Sequence, residues 1–206
     1  MSIVKLNNKA VSNATAIGSI SSLGSMVFIK KLTASSSATL SFVDGSDGVV
    51  LDDTYKEYVF TFNNIHPATD NVFFSFNLST DSGSNYNVTK TTTYFFAFHK
   101  EDGSGNNFTY SNGADLAQST SYQQIAQNIG ADNDQSMSGN FTLFNPSSTT
   151  FVKHFIATTQ TAETGDNTVN VFSAGYGNTT SAVDAIRFQM ESGAIASGDI
   201  CLYGIA

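Results

Sequence analysis

The sequence predicts an all-β protein, a jelly-roll-like antiparallel β-sandwich, and three features of the 206-residue chain indicate it. Short runs rich in Phe, Tyr and Val alternate apolar and polar residues, as strands with one buried face do. Clusters of Gly, Asn, Asp and Ser separate these runs at short intervals, which is typical of sandwiches and barrels. Aromatic residues make up 12% of the chain and charged residues only 13%, so neutral polar residues supply the exposed faces of the strands.

The chain is predicted to consist of an N-terminal arm over residues 1–25 and a single β-sandwich domain over residues 26–206. The arm is rich in Ser, Ala and Asn, and its apolar residues stand singly, so neither a helical nor a strand period is sustained. We interpret the arm as an extended segment that crosses the domain or reaches a neighbouring copy. Its predicted interface residues are Ile3, Leu6, Val11 and Ile17.

About nine or ten strands are predicted after the arm. Residues 94–98 are apolar on both sides, which is typical of a strand covered on both faces. Residues 121–130 combine the helix propensity of Gln and Ala with a β context, and we favour extended structure there. The predicted strands are 27–32, 38–43, 58–62, 72–78, 94–98, 140–144, 151–159, 168–173, 185–190 and 198–205.

The last predicted strand carries apolar residues on both faces. This pattern indicates either an inner strand or a strand that another subunit buries. Leu202, Tyr203 and Ile205 are therefore predicted, with the arm residues, to form an interface. Cys201, the single cysteine, excludes an intrachain disulfide, and we interpret it as a small buried hydrophobe.

The formal net charge of −8 and the scarcity of basic residues, nine in all, disfavour nucleic acid and anionic membranes as partners. The N-terminus lacks the continuous apolar run of a secretory signal. No stretch approaches the roughly 18 apolar residues that a membrane helix needs. We expect a soluble protein that is made in a cytoplasm.

The chain shows no motif for catalysis or for a nucleotide cofactor, so we predict that it is not an enzyme and needs no cofactor. His66, His99 and His154 lack the spacing of metal ligands. The acidic turns Asp44–Asp47 and Asp132–Asp134 are candidate calcium loops, although solvated turns explain them better. Exposed tyrosines could stack on sugars, and the candidates are Tyr86, Tyr110, Tyr122 and Tyr176.

Several segments, in order along nearly the whole chain, resemble a family of small structural proteins of marine tailed phages, such as those that infect cyanobacteria. The N-terminal run Ile3–Val11 is similar to the opening of these proteins. A Lys-like polar residue would be expected where Cys201 stands. The other similar segments are Thr33–Phe42, Tyr55–Phe60, Asn64–Asp70, Phe144–Thr150 and Ile200–Ile205.

The resemblance implies a virion component, either a capsid decoration protein or part of a tail appendage, with no catalytic residues. An anchored arm and an apolar last strand suit a symmetric oligomer, which we expect to be a homotrimer that also contacts capsid or tail proteins. The alternative hypothesis is a receptor- or carbohydrate-binding module at a fibre tip. A glycan-cleaving enzyme is the least favoured, because no acidic pair lies in aromatic, cleft-like sequence.

Overall fold

The computed structural model describes residues 25–206, and the four arm residues predicted to form an interface, at positions 3, 6, 11 and 17, lie outside the described residues. Twelve strands make up the described chain, and all of them pair in antiparallel fashion. The strands are β1 (Met26–Ser37), β2 (Leu40–Val43), β3 (Glu57–Pro67), β4 (Val72–Ser79), β5 (Lys90–Lys100), β6 (Asn106–Tyr110), β7 (Gln123–Ile129), β8 (Met137–Phe144), β9 (Lys153–Glu163), β10 (Asn167–Gly177), β11 (Ala185–Met190) and β12 (Ile195–Ile205).

The strands form a large sheet and a small sheet that pack face to face. The large sheet has the order β1-β12-β3-β8-β9-β10-β5-β6, and the small sheet has the order β7-β4-β11-β2. The pair Ile129–Glu163, between β7 and β9, joins the two into one continuous sheet that is nearly closed. The prediction of an all-β antiparallel sandwich is confirmed.

Two hairpins extend the sandwich beyond eight strands. The four strands β1-β12-β3-β8 face β2-β11-β4-β7, and the chain crosses repeatedly between these two layers, an order that we interpret as jelly-roll-like. The hairpin β5–β6 is inserted between β4 and β7, and the hairpin β9–β10 between β8 and β11. Both hairpins enlarge the large sheet on one side only, so the fold departs from a plain eight-stranded jelly roll.

The main core lies between the two sheets and is made largely of phenylalanine. Phe188 of β11 sits at its centre, where its ring contacts the rings of six other aromatic residues at centroid distances of 5.2–6.5 Å. These contacts join the layers, because Phe60 and Phe141 belong to the large sheet and Phe76 to the small one. Alternation along β3 places Tyr58, Phe60 and Phe62 in this core.

A second, smaller cluster lies under the extension formed by the inserted hairpins. Tyr94, Val169 and Val171 are its fully or almost fully buried members. The Tyr94 hydroxyl donates a hydrogen bond to Oε1 of Gln127 on β7, at 3.1 Å. Strand β7 is extended, as the sequence predicts, and it closes one end of the small sheet over the hairpins.

Within residues 25–206 no helix is long and apolar enough to span a membrane.

Candidate interaction surface

Apolar side chains form a cluster on the outer face of the large sheet, on the extension made by β9, β10, β5 and β6. We call this cluster the outer aromatic patch. Cross-strand register places its members on one face, since residues directly opposite each other in paired strands point the same way. The outer aromatic patch consists of Phe95, Phe108, Tyr110, Ile156 and Phe172.

The rings of the patch contact one another. Phe95 stacks on Phe172 with centroids 5.2 Å apart and planes 13° from parallel, and it contacts Phe108 at 5.5 Å. The rings remain open to solvent on the outer side, with Phe108 67% exposed, Ile156 53% and Phe172 38%. Contiguous exposed apolar area of this kind marks interaction sites in proteins that work as assemblies.

A shallow groove of about 520 Å³ adjoins the patch. Ala174 and Gly175 form its floor, because their small side chains leave the backbone of β10 uncovered. Tyr176 and His154 lie together on one side, with ring centroids 6.2 Å apart, and Phe144 lines the groove as well. Patch and groove adjoin on the outer face of the extension, beside polar residues such as Thr158 and Asn170 that share this face.

The outer side of β5 is where the sequence and the described structure differ. Residues 94–98 predict a strand covered on both faces, and the inner side agrees, since Tyr94 is fully buried. On the outer side, no part of residues 25–206 covers Phe95, and only neighbouring patch side chains shield it. The residue composition of β5 is therefore typical of a strand whose outer face packs against another surface.

The C-terminal interface prediction needs one correction. Strand β12 is an inner strand, between β1 and β3. Leu202 points inward and is fully buried in the core of its own domain, so it has no surface to offer another copy. Tyr203 and Ile205 point outward and are half-buried, and Tyr203 contacts the exposed Phe28 edge-on at 5.7 Å. Phe28, Tyr203 and Ile205 form a smaller apolar area at the opposite end of the large sheet.

Cys201 lies on the outer face of β12 and not in the core. It sits opposite Lys31 of β1 and Thr61 of β3, and it is partly exposed. The interpretation of this residue as a small buried hydrophobe is therefore wrong. Its thiol shares the outer face with Tyr203, two residues along the same strand.

The histidines do not form a common site. His66 lies at the end of β3, where Nδ1 contacts the carbonyl oxygen of Gln135 at 2.7 Å. His99 lies at the end of β5, and His154 lines the groove. In the part of the chain that the structure describes, no three His, Cys, Asp or Glu side chains converge as metal ligands would.

The predicted calcium loops use their oxygens for local contacts. Asp44 Oδ1 accepts a hydrogen bond from the Leu51 N–H at 2.8 Å, and Asp47 forms an ion pair with Lys30 at 2.5 Å. In the second loop, the side-chain oxygen of Gln135 accepts the N–H of Asp132. Within residues 25–206 neither loop brings three acidic, His or Cys side chains together, and solvated turns stay the favoured interpretation of both loops.

Of the four tyrosines predicted to stack on sugars, Tyr110 is the exposed one. Its hydroxyl donates a hydrogen bond to Asp115 at 2.6 Å, and this bond raises the pKa of Tyr110. Tyr86 is half-buried, and the Arg187 guanidinium lies 3.9 Å above its ring centroid. Tyr122 and Tyr176 are half-buried as well. Tyrosine alone therefore does not build a sugar platform here.

Two fully buried lysines were not foreseen from the sequence. Lys90 and Lys153 lie on either side of Gly177, on strands β5 and β9. The Lys90 ammonium donates hydrogen bonds to Asn77 Oδ1 at 2.5 Å and to the Val88 carbonyl at 2.8 Å. Within residues 25–206 neither lysine forms an ion pair. Burial without a counter-charge lowers the pKa of Lys90 to about 7 and lowers the pKa of Lys153 too.

Asn77 connects the Lys90 ammonium to two loops. Its amide nitrogen donates to the carbonyl oxygens of Tyr86 and Thr120, at 2.6 and 2.9 Å. The lysine and the asparagine therefore satisfy backbone carbonyls that the sheet ladders leave unpaired. We interpret the pair as a structural anchor for these loops. No signal in the sequence separates these lysines from exposed ones, because both lie at the first position of a strand, where charged residues are usually exposed.

These features define an all-β antiparallel sandwich whose most distinctive surface is an apolar sheet face. Comparison with protein-family models, curated proteins and solved structures gives no match for this chain.

Proposed function

We propose that this chain is a structural protein of a bacteriophage particle, which works through contacts with other copies and with other virion proteins. The observation that carries the proposal is the outer aromatic patch, since a large exposed apolar area is costly for a lone subunit and useful for an assembled one. The sequence resemblance to marine tailed-phage structural proteins supports the same role. In this proposal the chain is made in the host cytoplasm and resides in the virion.

The proposed role needs no catalysis, no cofactor and no contact with nucleic acid or membrane. The protein would decorate the capsid exterior or form part of a tail appendage. Low charge and a rigid phenylalanine core suit a module that keeps its shape while neighbours bind to it. The expected assembly is a homotrimer, because closed cyclic symmetry is the common outcome when copies contact one another.

The assembly can be tested on the purified chain of residues 1–206. We expect it to sediment as a trimer, and we expect the double variant Phe108→Ser/Phe172→Ser to sediment as a monomer, because the patch loses its most exposed ring and the ring that stacks on Phe95. Phe151→Ser is the matched control, since Phe151 is also 67% exposed but lies outside the patch. A monomeric wild type, or equal effects of patch and control variants, would contradict the proposal.

The location in the particle is the second test. Immunogold labelling and electron microscopy of intact particles should place the protein on the head or on the tail. Its absence from purified particles would end the virion proposal, whatever the oligomeric state.

One observation favours a second candidate, a carbohydrate-binding module at a fibre tip. That hypothesis predicts exposed aromatic residues grouped on one face, and the outer aromatic patch is such a group. Phe95 and Phe172, however, turn their ring faces toward each other, which leaves less ring face for a sugar. A glycan array at high protein density would decide, because binding that is lost in Phe108→Ser/Phe172→Ser would support this candidate over the structural role.

A further inference from the structure

We propose that the outer aromatic patch receives the N-terminal segment, residues 1–24, of a neighbouring copy. The inference rests on the proposed function, in which copies contact each other, and it names the element that makes the contact. Three observations carry it: the charge of the segment, the charges around the patch, and the distance that the segment can span.

The segment and the remaining chain carry opposite charges. Residues 1–24 contain two lysines, Lys5 and Lys9, and no acidic residue. The rest of the chain therefore holds seven basic and 17 acidic side chains, a net charge of −10. Charges of opposite sign favour association of this segment with the acidic domain, whereas two whole domains repel each other.

Acidic residues border the patch at the ends of its two hairpins. Glu101 and Asp102 lie in the turn between β5 and β6, and Asp166 lies in the turn between β9 and β10. The two turns touch, since the Glu101 N–H donates to the Asp166 carbonyl oxygen at 3.0 Å. One lysine, Lys100, stands at this border, so the three carboxylates of Glu101, Asp102 and Asp166 leave it net negative.

Phe108 lies two residues from the start of β6, close to this acidic border. A segment that carries Lys5 and Lys9 beside single apolar residues offers positive charge for the acidic turns and apolar side chains for the rings. The lysines would face the acidic turns, and the following apolar residues, Val11 and Ile17, would lie over the rings.

The distance is compatible with this arrangement. An extended segment of this length spans up to ~80 Å. The described chain begins next to β1, at one edge of the large sheet, and the patch begins four strands away, or about 20 Å. The segment is long enough to leave its own sheet and reach another copy. A segment that lay on its own patch would cover that surface and join no copies, so the proposed function requires exchange between neighbours.

Photo-crosslinking of the chain of residues 1–206 tests the occupant directly. A photoreactive phenylalanine derivative is placed at Leu6 or Val11, the chain is mixed with isotopically heavy wild type, and adducts are mapped by mass spectrometry. The expected adducts join light to heavy chains and fall on β5, β6, β9 or β10. Adducts elsewhere on the domain, adducts within single chains only, or none in a trimeric sample would overturn the inference.

A charge exchange gives an independent measurement. We expect Lys5→Glu/Lys9→Glu to weaken assembly about tenfold by sedimentation equilibrium, since two attractive contacts become repulsive. Adding Glu101→Lys/Asp102→Lys to the same chain should restore assembly. Failure of the second pair to restore it, with far-ultraviolet circular dichroism unchanged, would contradict the inference. The protein could still be found in particles in that case, so this failure differs from failure of the proposed function.

Discussion

Replacing Phe188 by alanine is expected to lower the free energy of unfolding by about 3–5 kcal/mol, the usual cost of deleting a buried aromatic side chain. Phe188 is fully buried and contacts six other rings, so the small sheet would lose its central contact with the large one. Urea denaturation followed by circular dichroism measures the change. Because single domains are stable by only ~5–15 kcal/mol, Phe188→Leu serves as the milder second variant.

The matched control is Phe108→Ala, the same substitution in the outer aromatic patch. We expect it to change the unfolding free energy of the subunit by no more than ~0.5 kcal/mol, because the Phe108 ring is mostly exposed. Its effect should be on assembly. If both variants lost similar stability, the patch would be part of the fold and its assignment as an interaction surface would be wrong.

The second large effect concerns pH. Unfolding restores Lys90 to its ordinary pKa of 10.5, whereas in the folded chain burial lowers this pKa to about 7. Between these values the unfolded chain binds more protons than the folded chain, so the free energy of unfolding rises with pH. Each bound proton contributes at most about 1.4 kcal/mol per pH unit, which predicts ~3 kcal/mol of added stability between pH 7 and 9.5.

The pH dependence has an upper limit and a control. Burial raises the pKa of Tyr58 to about 12, so above pH 10 the folded chain retains protons that the unfolded chain has lost, and stability falls again. In Lys90→Met the slope between pH 7 and 9.5 should shrink to the part that Lys153 supplies. The slope is the measured quantity, because Lys90→Met also removes one of the two donors to Asn77 Oδ1 and leaves only the Leu78 N–H. An unchanged slope would show that Lys90 stays charged in the fold.

Most of the fold could be predicted from the sequence because the alternating strands are long and aromatic. The strand around Phe74 and Phe76 shows its buried face in its own residues, and β7 follows from its β context despite its Gln and Ala. The sequence does not predict strand β6, since the residues before Phe108 are typical of a polar loop. Their strand conformation comes from pairing with β5, a tertiary contact that local propensity does not encode.

The candidate surface could be predicted only in part. The composition of β5 indicates cover on both faces, but it does not say which side lacks a partner within the domain. Ile156 and Phe172 are far apart in sequence and become neighbours of Phe95 through the register of β9, β10 and β5. The sequence predicts Leu202 as an interface residue because alternation alone does not say which of two apolar faces points to the core.

The small second cluster beneath the inserted hairpins has a consequence for how the subunit moves. Tyr94, Val169 and Val171 bury far less apolar surface than the phenylalanine core, so the hairpins should open more often than the rest of the sandwich. Backbone amides of β5, β6 and the outer end of β10 would then exchange with deuterium early in the free subunit and late in the assembled one. The region that meets neighbours would be the softest part of the subunit before assembly and would become rigid through it.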